Sequence, residues 1–279
     1  MKESLLIVVL LSAGQVESEP DQKAQSAARL KLMKESAARI EIHMGRKERT
    51  GLELDAQPVL RWDNPQSRVI DAAIFVWLAD HRPHMIGGMW IKDGRALFDL
   101  HSLSQEPLTV AMDGALSWST SRPGVTWGNV PDGPPLGASR AERLRQMKKL
   151  AQGFVVHAVK NAPDYDEGSI WRFRMMARPI YRYAEEAAVD GAIFAFAQGT
   201  DPEAFLILES CEDKGTARWQ FAFAAACVWE LHAQHSERDV WSRPKWVFTD
   251  TDRIYGLLGP FAVDPELFPL GAIKPQQAK

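Results

Sequence analysis

The sequence predicts an α+β protein that is internally duplicated, each copy being one helix followed by a curved antiparallel β-meander. Three observations predict it. An apolar stripe at helical spacing gives way to period-two alternation at two places in the chain, the residues around those places match in order, and runs of alternating strands separated by turn chemistry follow each one. Whether the copies share one core or form two domains stays open at this level.

The helices come first. Ala27, Leu30, Met33 and Ala37 form one apolar stripe, and Ala141, Leu144, Met147 and Ala151 repeat it. Ser139 and Glu142 have the spacing of a capping box, and Gly153 is the expected stop of the second helix. Arg29, Leu30, Met33, Lys34, Ala37 and His43 recur without a gap as Arg143, Leu144, Met147, Lys148, Ala151 and His157. Alternation begins at Ile40, Ile42 and Met44 and again at Phe154, Val156 and Ala158, where helix should pass into strand.

The strands follow in matching order. Leu52 to Trp62 and Phe173 to Tyr183 alternate, and Pro58 and Pro179, which cannot donate to a ladder, should mark an edge or bulge. Ala72 to Ala79 and Ala192 to Ala197 are apolar at every position, as strands buried on both faces are. Further strands are expected over Met85 to Lys92, Ala96 to Leu103, Leu108 to Met112 and Leu116 to Ser119, and over Phe205 to Glu209, Arg218 to Ala226 and Val228 to Ala233. Asp93-Gly94, Asp113-Gly114 and Lys214-Gly215 supply hairpin turns, whereas Asp80, His81 and His84 with Arg82-Pro83 read as a polar turn. The Pro- and Gly-rich stretch from Pro123 to Gly137 is the linker between copies.

The predicted organisation is therefore a signal peptide at 1–18, a first copy at 19–130, a second at 131–255 and a C-terminal tail at 256–279. Ser4 to Leu11 is an apolar run too short to span a bilayer, with Val16 and Ser18 at the small-residue positions of a cleavage site. The expected location is outside the cytoplasm, periplasmic or secreted, with no integral membrane segment once the leader is removed. With 279 residues, 46% of them hydrophobic, the chain can bury a core without metal or disulfides, and its net charge of -3 offers no basic surface for nucleic acid. Cys211 and Cys227 are expected on neighbouring strands but out of register for a bridge, Cys211 facing roughly Ala217.

No motif assigns an activity. The sequence has no nucleophile elbow, zinc-protease helix, Walker loop or dinucleotide fingerprint. Gly87-Gly88 reads as a close backbone approach, the acids Asp164, Asp166 and Glu167 as a solvated loop, and Trp62, Trp77, Trp90 and Trp118 as core rather than groove. His43 and His157 are equivalent but lie on strands, and His232 and His235 should point to opposite faces, so no metal site is predicted and no cofactor is implied. The site candidates are Arg61 and Arg182, equivalent arginines of Pro-apolar-apolar-Arg tetrads, with the equivalent carboxylates Asp71 and Asp190. A structural Arg–Asp pairing within each copy is the simpler reading, and ligand binding the sharper one.

Arg178-Pro179-Ile180-Tyr181-Arg182-Tyr183 and the stretch from Asp190-Gly191-Ala192 to Gly199-Thr200-Asp201-Pro202-Glu203 resemble an uncharacterised family of predicted exported proteins from planctomycete bacteria. The similarity extends from the first helix to about Trp241; the first copy departs from it, with Trp77-Leu78-Ala79-Asp80 at the corresponding place. The resemblance implies export and carries no activity or catalytic residue. Two functions remain: a non-catalytic binding or structural protein, its ligand held between or beneath the sheets, and a hydrolase whose acids or histidines come from separate loops. A pocket holding two carboxyls, or a carboxylate beside a histidine, would favour the hydrolase.

Overall fold

The computed structural model describes residues 19–46, 49–120, 122–160, 168–185, 189–213, 216–246 and 255–267. The expected signal peptide, the acids Asp164, Asp166 and Glu167, the Lys214-Gly215 turn and the chain beyond Leu267 lie outside the described residues. No described helix is long and apolar enough to cross a membrane.

The first half runs α1 (Glu19–Ala38), β1 (Ile40–Met44), β2 (Thr50–Gly51), β3 (Glu53–Leu54), β4 (Leu60–Asn64), β5 (Val69–Ala79), β6 (Arg82–Lys92), β7 (Arg95–Ser102), β8 (Leu108–Met112) and β9 (Ala115–Ser119). After β10 (Gly128–Asn129) the second half runs α2 (Arg140–Ala151), β11 (Phe154–Lys160), β12 (Ser169–Arg172), β13 (Arg174–Met175), β14 (Tyr181–Glu185), β15 (Val189–Gln198), β16 (Asp201–Asp213), β17 (Thr216–Ala225), β18 (Glu230–His235) and β19 (Arg238–Arg243). β20 (Tyr255–Ala262) closes the described chain, apart from a single 3₁₀ turn at Pro265–Leu267.

The fold is sheet-rich α+β with two helices. A single meander per half is not what forms. Each half holds two antiparallel sheets, one of four strands in the order β2-β1-β8-β9 or β12-β11-β18-β19, and one of six with β7-β6-β5 or β17-β16-β15 at its centre. The reason is local: the alternating runs expected at 52–62 and 173–183 break near Pro58 and Pro179, so that β3 and β4, or β13 and β14, pair separately along one neighbour. The last hairpin of each half then returns to pair with the strand that follows the helix.

Both β6 and β16 begin after tight two-residue turns. At Asp80-His81 both residues have positive φ, so Arg82 and Pro83, expected in the turn, are already in the strand. Asp93-Gly94 and Asp113-Gly114 form the same kind of turn. The capping box of α2 is present on both sides, Ser139 accepting from the Glu142 amide and Glu142 from the Ser139 amide.

Alternation along the central strands divides the core in three. Ala73, Phe75 and Trp77 face α1 and the four-stranded sheet of their own half, together with Met33, Ile42, Phe98 and Val110. Ala192, Phe194 and Phe196 do the same with Met147, Val156, Phe223 and Leu231. The intervening residues Ile74 and Val76 meet Ile193, Ala195, Phe205 and Ile207, so the two six-stranded sheets pack face to face. This is why Ala72 to Ala79 of β5 and Ala192 to Ala197 of β15 are apolar at every position.

The sixth strand of each large sheet comes from the other half. β10, in the segment expected as a linker, pairs with β17, and β20, in the segment expected as a tail, pairs with β7. The chain thus exchanges one strand in each direction.

Candidate functional site

The four residues singled out from the sequence are brought together in pairs, and each pair gains a second arginine. Asp71 accepts from Arg61 Nε at 2.8 Å and Nη2 at 2.5 Å, and from Arg29 Nε of α1 at 2.9 Å. Asp190 accepts from Arg182 Nη2 at 3.0 Å and from Arg143 Nε of α2 at 2.8 Å. Both aspartates are buried, 4% and 3% exposed. The remaining donors reach carbonyls: Arg61 to Ser26 O and Arg182 to Arg140 O, Arg29 to Leu267 O and Arg143 to Gly137 O. Each triad ties the helix to β4–β5 or β14–β15 and to the segment arriving from the exchanged strand. Arg61 and Asp71 also border a shallow groove with Ser26 and Met176, but their charges are turned on one another.

A second arrangement was not visible in the sequence. Between the six-stranded sheets lies a cleft of about 280 Å³ lined by Trp62, Trp90, Asp99 and His101 of the first half and by Asp201, Glu203, Cys227 and Trp229 of the second. Trp62 and Trp90, expected in the core, are half-buried on its wall, whereas Trp77 and Trp118 are core as expected. Cys227 lies in the loop after β17 rather than on a strand, and both thiols are free. The register facing Cys211 is Arg218, one residue from expectation.

Gly88 keeps this cleft open and orders one acid. Its amide donates to Asp99 Oδ1 at 2.8 Å, and a Cβ there would stand 2.9 Å from the same oxygen. The other Asp99 oxygen lies 3.4 Å from His101 Nε2, and the His101 ring meets Phe205 edge-on. Burial, then the charges of Glu203 and Asp99, push Asp201 up to about 8, against a hydrogen bond from Asn64. Burial likewise raises Glu203, which hydrogen-bonds with the Cys227 thiol. Two carboxyls that would be ionised in water therefore hold protons more tightly here. Lys160, buried and drawn downward by desolvation, stands over the Trp171 ring at 3.5 Å and over Trp229 at 5.0 Å, and bonds Gln198 at 3.2 Å.

The opposite end of the same inter-sheet layer is filled. Arg82 Nη2 donates to Glu209 Oε1 at 2.5 Å, and its guanidinium lies 5.4 Å from the Trp127 ring. Glu209 also accepts from the Tyr183 hydroxyl at 2.7 Å and from Gln220 Nε2 at 2.5 Å. Both carboxylate oxygens of Glu209 are thus engaged within the protein.

The histidines do not assemble. His43 and His157 lie on separate four-stranded sheets; His157 stacks on His232 with ring centroids 5.2 Å apart, and burial lowers its pKa. His232 and His235 alternate between half-buried and buried faces of β18. No group of three or more metal-ligating side chains occurs among the described residues. Comparison with protein-family models, curated proteins and solved structures gives no match.

Proposed function

We propose that the protein binds a small organic molecule in the cleft between its two six-stranded sheets. The observation that carries this reading is the cleft itself: indoles on two walls, carboxyls converging from both halves, and a rigid double-sheet frame. Soaking crystals in a panel of neutral, anionic and cationic phenyl compounds should place density between Trp62 and Trp90. Density elsewhere, or none with any member, refutes the reading.

A hydrolase is the second reading, favoured by the Asp99–His101 pair and by an acid, Asp201, that holds its proton near neutrality. Against it, Asp99 is held by the Gly88 amide and His101 is wedged against Phe205, positions that suit framing better than proton shuttling. Turnover of nitrophenyl esters or glycosides that Asp201→Asn abolishes would reverse the preference.

We infer further that the two halves are copies of one unit. The repeated strand orders, the equivalent Arg–Asp–Arg triads and the reciprocal exchange of β10 and β20 support this. Export rests on the apolar run at 4–11 followed by small residues; secreted material should begin near Glu19, and an intact Met1 on it would contradict cleavage.

A further inference from the structure

We propose that the cleft takes an organic cation, a guanidinium or ammonium group on an apolar body, seated between Trp62 and Trp90 against Asp99 and Asp201. This rests on the cleft being the binding site and adds the chemical class of its ligand.

The argument comes from comparing the two ends of the inter-sheet layer by ladder register. Arg82 opens β6 opposite Ala79, and Asp201 opens β16 opposite Gln198, so the two hold the same position in their hairpins. Further along, Trp90 pairs with Ala72 and Glu209 with Gly191, each one residue beyond the triad aspartate. Trp62 pairs with that same Ala72 and Tyr183 with that same Gly191. Finally Gly88 pairs with Ile74 as Ile207 does with Ile193.

At the filled end, then, the arginine of one half crosses to the glutamate of the other, beside an indole and under a tyrosine hydroxyl. At the cleft the arginine's position holds Asp201, the glutamate's Trp90, the tyrosine's Trp62, and the isoleucine's Gly88. The exchange turns the arginine into a carboxyl and the glutamate into an indole, and clears the volume of a branched side chain; the second carboxyl, Asp99, pairs with Gly88 where Ala222 pairs with Ile207. What it leaves is an unfilled space with two carboxyls, indole walls and no arginine. Carboxylates and indole faces together are the recurrent recognition surface for organic cations.

The protein's own charged groups stand around the site: Lys160, 5.0 Å from the Trp229 ring, acts on both Glu203 and Asp201, Lys92 lines the wall with Trp90, and His101 Nε2 lies 3.4 Å from Asp99. Even so, burial and the acidic neighbours outweigh Lys160 at Asp201, and its carboxyl is pushed to about 8. A bound cation would displace that proton, so affinity should rise as pH increases through this range.

The test compares phenylguanidinium with phenylurea, which has nearly the same shape and no charge, by following the tryptophan indole resonances at pH 7 and pH 9. Phenylguanidinium should bind about tenfold or more tightly than phenylurea at pH 9, with a smaller margin at pH 7. The comparison uses the unaltered protein, and Asp201→Asn should narrow the margin. Equal affinity, with both compounds shifting the cleft indoles, overturns the cation class and leaves the binding site standing. If neither compound shifts the cleft indoles, both readings fall.

Discussion

Replacing Arg182 by alanine tests whether the triads are part of the framework. Arg182 donates to Asp190 through Nε at 3.3 Å and Nη2 at 3.0 and 3.1 Å, and Nη2 also reaches Arg140 O at 2.6 Å. The side chains are 24% and 4% exposed, so solvent screens the pair only in part. Truncation removes one charged hydrogen-bonding group, yet Asp190 keeps Arg143 Nε at 2.8 Å and is not left unpaired. The expected loss is therefore that of charge-assisted hydrogen bonding, about 1.5–3 kcal/mol. Asp190→Ala should cost more, about 3–5 kcal/mol, because it strands two guanidinium groups facing one another. Urea denaturation measures both as shifts in midpoint at unchanged slope. A parental midpoint for Arg182→Ala, or an Asp190→Ala variant more stable than Arg182→Ala, would refute the reasoning.

Two more outcomes follow from the inter-sheet layer. Asp201 is raised from the usual carboxylate range to about 8, so the folded state binds the extra proton between those values; its contribution is intact below about pH 4 and is lost as pH rises through 8. Thermal melts from pH 5 to 9 should show this decline, and Asp201→Asn should flatten it by up to several kcal/mol; an unchanged slope would contradict the burial argument. At Gly191 a Cβ would stand 2.2 Å from the Tyr183 ring, so Gly191→Ala should cost about 1–3 kcal/mol and break the Tyr183–Glu209 hydrogen bond, seen as altered tyrosine near-ultraviolet circular dichroism. A variant matching the parent in both would mean that Tyr183 is not held against this glycine.

Much of the fold was legible because periodicity and turn chemistry are local. The α2 capping box, the Asp-Gly hairpins and the doubly buried β5 and β15 all declare themselves within a few residues. What was missed depends on partners far along the chain. β10 has two residues and no pattern of its own, and β20 lies beyond about Ile254, where the expected duplication gives no guidance, so only their distant partners β17 and β7 define them. The Arg61–Asp71 and Arg182–Asp190 pairs were visible as repeated residues, whereas the added arginines Arg29 and Arg143 were seen only as helix matches.

The cleft was hidden for a different reason: its walls come from opposite halves. A signal existed in Asp99-x-His101, where alternation puts two polar side chains on one face of a strand otherwise built for burial, and in Asp201-x-Glu203, acids in a buried strand whose ladder bulges at Glu203. Reading Trp62 and Trp90 as core was natural from alternation. They do point inward, but into a space that Gly88 leaves unfilled.

The binding reading is tested most directly by assigning the indole N–H resonances of the ten tryptophans and titrating in phenylguanidinium at pH 9. The account predicts saturable shifts at Trp62 and Trp90, with Trp77 and Trp219, sealed in the two outer cores, unmoved. Saturable shifts confined to tryptophans outside the cleft, or none at any, would contradict it.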